Sequence, residues 1–99
     1  MKNANDIIDN IRIIDAIICM VPSRAVIYVD RLYEIKAELS GVDGDLDEAL
    51  LIAASMGANA CQIAILALES KSDRIRAAWM KDAVKALAIA NRAYIRFAN

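Results

Sequence analysis

The strongest nucleophiles this chain offers are two cysteines, Cys19 and Cys61, and no histidine stands anywhere to activate them. Imidazole is the commonest general base and the usual zinc ligand beside a thiolate, so its absence removes Ser-His and Cys-His pairs and mixed zinc sites together. The two cysteines lack C-x-x-C spacing, which leaves no metal clip and no thioredoxin-like pair. As reduced thiols on separate helices they point to a reducing compartment, the cytoplasm. The acidic cluster Asp43, Asp45, Asp47 and Glu48 opens like a calcium loop. An EF-hand then needs glycine at its sixth position and glutamate at its twelfth, where this chain has Glu48 and Ala54. Helix capping and dipole complementarity explain these carboxylates without a metal. Glycine occurs only at 41, 44 and 57, too sparsely for a phosphate-cradling loop. The expectation is no enzyme, no cofactor and no bound metal.

The other chemistry on offer is electrostatic. From Lys71 onward seven cations face two carboxylates, while the first 70 residues carry five cations and eleven carboxylates. Arg74, Lys81, Lys85, Arg92 and Arg96 follow spacings of 7, 4, 7 and 4, which places all five along one face of a helix. This basic ridge is the predicted partner-binding surface, directed at an acidic protein surface or at the acidic half of another copy. The alternative is a nucleic-acid-binding regulator that uses the ridge to track phosphates. Against that stand a net charge of −1 and the lack of aromatics interleaved with the cations; Trp79 reads as a core anchor. The stripe Ala77, Met80, Val84, Leu87, Asn91 and Tyr94, on the far side from the ridge, is the predicted core face.

Apolar residues recur at helical spacing nearly throughout, which makes the chain all-α. The first helix is expected from about Asn5, with Asp6 in its first turn and Ile7, Ile11, Ile14, Ile18 and Val21 forming its stripe. Pro22 stops it. Asp6, Asp9, Arg12 and Asp15 interrupt what would be the uncharged core of a signal peptide, so this segment reads as retained and folded. Ser23 is placed as N-cap of a second helix over about 24–39, with Tyr28, Leu32, Ile35 and Leu39 facing inward and Gly41 as C′ glycine. Asp45 and Glu48 suggest a capping box for a third helix ending near Glu69. After a polar turn, Ser72 caps a fourth helix that continues almost to the end. Two shorter helices followed by a long antiparallel helical hairpin predict a single bundle-like domain over 1–99, completed in a homo-oligomer.

The third helix is apolar almost all round, so it belongs at the centre. Ala53, Gly57, Ala60 and Ala64 lack bulk and let another backbone approach closely; a second copy of the chain is the expected occupant. Asn59, on a polar strip with Ser55 and Gln62, is the expected register-fixing residue of that oligomer interface. Between Leu50 and Leu68 no charge intervenes, about the length a bilayer core demands. Ser55, Asn59 and Gln62 near the middle, no aromatic belt and charged flanking helices argue against a membrane span. Ala53, Gly57, Ile63 and Leu66 also fit a helix-turn-helix template, but of its outward positions only Asn59 could read a base.

Apolar residues make up 59% of the chain, against about 45–50% in soluble domains, and so small a domain leaves a large share of its surface in water. That surplus needs a hidden face. Together these features predict a non-catalytic, homodimeric protein–protein interaction module that regulates or inhibits a partner by surface binding.

Overall fold

The structure, a computed structural model, describes residues 3–42 and 44–99. Asp43 of the acidic cluster lies outside the described residues. In chain order the elements are α1 (Ala4–Ile18), α2 (Pro22–Ala25), a 3₁₀ turn (Val26–Tyr28), α3 (Val29–Ser40), α4 (Glu48–Glu69) and α5 (Asp73–Ala98). No strand occurs among the described residues.

Asn3 caps α1, which starts at Ala4, one residue earlier than the Asn5 expected. Its side chain accepts the Asp6 N–H at 3.0 Å while the Asp6 carboxylate accepts the Asn3 N–H at 3.3 Å, a reciprocal capping box. Ile7, Ile11, Ile14, Ile17 and Ile18 are buried. The helix ends before Val21, which takes the extended conformation that proline imposes on its predecessor and is 58% exposed, so it does not belong to the core stripe. Asn10 is buried on the same face, and its Nδ2 donates to Glu38 Oε2 at 3.0 Å, tying α1 to α3.

The single second helix is corrected. Pro22 occupies the first turn of α2, where its missing N–H costs nothing, and Ser23 lies inside the helix rather than capping it. The β-branched and aromatic run at 26–29 then tightens into a 3₁₀ turn before α3 resumes. Leu32, Ile35 and Leu39 are buried as expected, whereas Tyr28 is exposed. Gly41 ends α3 as the cap itself, with φ −98°, so no left-handed residue is used.

Asp47, not Asp45, caps α4, accepting the Ala49 N–H at 2.8 Å. Ser72 caps α5 as expected, accepting the Ile75 N–H at 3.3 Å. Between them the turn is fastened by Arg76, whose guanidinium donates to the Ser70 carbonyl at 2.8 Å and to Asp73 at 2.7 Å. The result is a long helical hairpin, and the α4–α5 pairing is the most extensive in the molecule.

The buried face of α5 is Ala83, Ala86, Leu87, Ala90 and Ala93. Relative to the expected stripe the helix is turned by roughly a quarter turn; Leu87 belongs to both, Met80, Asn91 and Tyr94 are half-buried, and Val84 is 52% exposed. Alanine wins this position because it lets the two backbones come together over 83–93, which larger side chains would prevent.

The small-residue stripe of α4 is also corrected. Ala53, Gly57, Ala60 and Ala64 are buried within one protomer, because α4 packs against α1, α3 and α5 of its own chain. A Cβ built on Gly57 would lie 2.9 Å from Leu39 Cδ1 and 3.7 Å from Ile11 Cγ1, so the close approach is intramolecular. Asn59 is exposed on the surface of the protomer.

Because the nearest obstacle to a Cβ at Gly57 is a terminal methyl that can swing aside, Gly57→Ala should unfold in urea within about 1 kcal/mol of the parent. Its helix-propensity gain of about 1 kcal/mol offsets the crowding. Gly57→Leu must displace Leu39, Ile11 and Ile14 together and should lose about 1–3 kcal/mol. Equal losses for the two variants would place the close approach elsewhere.

Candidate functional site

The groups with intrinsic reactivity are not gathered into a centre. Cys61 is fully buried, and loss of hydration pushes its thiol up from 9.0 to about 12, against a weaker opposing pull from the Lys36 charge. Such a thiol stays protonated and is no nucleophile. Cys19 is exposed, its Sγ donating at 3.9 Å to Asp15. Tyr33 Oη donates to Glu69 Oε1 at 3.3 Å, and its phenol is raised by reduced hydration and then by the Glu69 charge. Lys36 Nζ donates to Gln62 Oε1, so α3 is clipped to α4 at two levels and Gln62 is engaged within the protomer. Among the described residues no three of the Cys, Asp and Glu side chains converge as metal ligands.

The electrostatic site is more sharply drawn. Arg74, Lys81, Lys85, Arg92 and Arg96 are all exposed on α5. The ion pairs of the described residues join Arg12 to Asp9, Arg31 to Glu34 and Arg76 to Asp73, each three residues apart on one helix, and none involves the ridge. Among the described residues no carboxylate lies within ion-pair distance of these cations, and their field extends into solvent. On one side the ridge is bordered by Val84 and Ile95, which are 52% and 55% exposed. Sequence reasoning missed this border because it assigned Val84 to the core. Its one legible signal was the alanine stripe at 83, 86, 90 and 93, which competes for the same helix.

A second surface lies where the hairpin is not covered by α1 and α3. Along α4, Ile52, Ser55, Asn59 and Leu66 are exposed, with Met56 and Ile63 half-buried beside them. Along α5, Ile75, Trp79, Ile89 and Phe97 are exposed. Trp79 and Phe97 stand eighteen residues apart, five whole turns, so they share one face of α5. At the end of the hairpin remote from its turn, a groove of about 410 Å³ is lined by Asp47, Glu48, Ala49 and Ile52 of the α4 start and by Arg96 and Phe97 of α5. That groove brings the ends of the two exposed strips together at Ile52 and Phe97. Trp79 is thus not the enclosed core anchor expected but a 37% exposed ring on the α5 strip.

Among the described residues α4 is the helix long and apolar enough to cross a membrane, at 22 residues with mean hydropathy 1.8. A core helix passes the same test, and ten of its residues are buried against the rest of the chain.

Comparison with protein families, with curated proteins and with solved structures finds no match. The surfaces themselves carry the functional reading.

The raised Cys61 thiol has a testable consequence. Below pH 9 the thiol is neutral in both folded and unfolded chains; between pH 9 and 12 only the unfolded chain loses the proton, so stability falls as pH rises through that window. The slope is on the order of 1 kcal/mol per pH unit, and Cys61→Ala should flatten it. At pH 8 a thiol reagent should modify Cys19 in the native protein and both cysteines in urea; native modification of Cys61 would contradict its burial.

Proposed function

We propose that this chain is a non-catalytic helical interaction module of the cytoplasm, homodimeric, that regulates or inhibits a partner protein by occupying its surface. The observation that carries this reading is the α5 ridge, five exposed cations with no ion-pair partner among the described residues and an apolar border at Val84 and Ile95. Cations beside exposed aliphatic groups suit an acidic amphipathic segment, which offers carboxylates for the ridge and apolar area for the border. Fully buried or singly placed reactive groups support a role without catalysis, since Cys61 is sealed in the core.

The same ridge supports a second reading, a nucleic-acid-binding regulator, because cations in register along a helix can follow a phosphate backbone. The border discriminates between the two. Phosphate contacts make no use of Val84 and Ile95, whereas a protein partner buries them.

Affinity capture from the native host, with a nuclease-treated control, supplies the partner for the test. The triple variant Lys81→Glu, Lys85→Glu, Arg92→Glu should weaken capture of a nuclease-resistant protein partner at least tenfold, about 1.4 kcal/mol. Val84→Ser with Ile95→Ser should weaken it as well. If capture instead depends on nucleic acid, falls steeply with salt and ignores the Val84 and Ile95 changes, the assignment passes to nucleic-acid binding. Retention of the partner by the triple variant would remove the ridge from the site.

A further inference from the structure

We infer that the open face of the α4–α5 hairpin docks a second copy of this chain, with the two-fold axis running along the helices so that α4 of each copy lies over α5 of the other. The inference rests on the homodimeric part of the function proposed above and deepens it by naming the face and its geometry.

The area is sufficient. A 22-residue helix is about 33 Å long, and two helices side by side span roughly 20 Å. The face therefore offers about 600 Å² per copy, or roughly 1,200 Å² in all, which reaches the range of specific interfaces. Its apolar content is arranged in step. The groove at the open end puts Ile52 level with Arg96 and Phe97. Counting along the antiparallel hairpin from the turn at 70–72, Leu66 stands level with Ile75 and Trp79, and Met56 with Ile89.

Charge decides both the occupant and the arrangement. The α4 edge of the face carries carboxylates at its two ends, Asp47 and Glu48 beside the groove at the start and, at the finish, Glu69, which borders α3 and accepts the Tyr33 hydroxyl. The α5 edge is the flank of the basic ridge, with Arg92 and Arg96 at the open end and Arg74 near the turn, where Lys71 precedes the helix. Lys85 stands between them, level with Asn59. A face with one negative edge and one positive edge is complementary to itself; an anionic lipid surface would favour a single sign. With the axis along the helices, each α4 end meets the cations of the partner's α5 at the same level. Two carboxylates depart from the pattern on α5: Asp73 at the turn is paired with Arg76, and Asp82 stands level with Gln62, to which Lys36 donates. Every helix also gains an antiparallel neighbour, which aligns the helix dipoles favourably. The other two-fold arrangement, with its axis across the helices, lays α5 over α5 and places Arg92 and Arg96 against the partner's Arg74. It also sets Glu48 against the partner's Glu69, and only that arrangement brings Asn59 onto its twin.

Sedimentation equilibrium at tens of micromolar tests this. The parent should have twice the 10.8 kDa chain mass. Glu48→Arg and Arg96→Glu, each checked for native helicity by circular dichroism, should each weaken the dimer at least tenfold. An equimolar mixture of the two variants should recover a heterodimer of near-parental affinity, because each junction then joins opposite charges. Contacts within one chain cannot give this recovery. Asn59→Cys in a Cys19→Ser background should form no disulfide with its twin. A monomeric parent would overturn both the docking and the homodimeric part of the proposed function. A dimer with no recovery on mixing, or with an Asn59→Cys disulfide, would overturn the docking alone.

Discussion

How closely α4 can approach its neighbours governs the rest of the molecule. Ala53, Gly57, Ala60, Ala64 and Ala67 are all buried on this helix, and α5 answers with Ala83, Ala86, Ala90 and Ala93. Side chains this small bring backbones together, and the attraction is gathered from many short atomic contacts rather than from a few large apolar groups. The bulk needed to close the remaining space comes from α1 and α3, whose Ile7, Ile11, Ile14, Leu32, Ile35 and Leu39 are essentially inaccessible. Gly57 is a close point of that junction, with Leu39, Ile11 and Ile14 around the space a side chain would fill.

An alanine-lined core has a consequence for the surface. A helix that turns its alanines inward must turn larger apolar residues outward, and α5 does so with Ile75, Val84, Ile89 and Ile95. Apolar composition well above that of an average domain therefore reappears as two exposed faces. One borders the basic ridge; the other lies along the uncovered side of the hairpin. Core packing and the exposure of these apolar faces are here two sides of one rotation of α5 about its axis.

Electrostatics sorts those faces. The ion pairs of the described residues stay within single helices and leave the ridge unneutralised, while the hairpin's open face has carboxylates at the α4 start and is edged on α5 by cations of that same ridge. The outer side of the ridge is single-signed and calls for a partner of opposite charge, and the side turned toward α4 is two-signed and suits a second copy.

Much of this was legible along the chain, because helix periodicity, stops and caps act over a few residues. The all-helical class, the long hairpin and the Ser72 cap are local facts, and so is the gathering of Arg74, Lys81, Lys85, Arg92 and Arg96 on one face. Two near-equivalent acids before α4 already exceeded that reach, since Asp45 and Asp47 differ only in where the descending chain places them. The rest belonged to the tertiary structure. Periodicity says which residues share a face but not which face is buried, and hydropathy ranks Val84 above Ala83 or Ala90 although close approach prefers the alanines. It likewise marks Ala53, Gly57, Ala60 and Ala64 as a place for a neighbour without naming it. Leu39, Ile11 and Ile14 come to that place from distant parts of the sequence, and only folding brings them there.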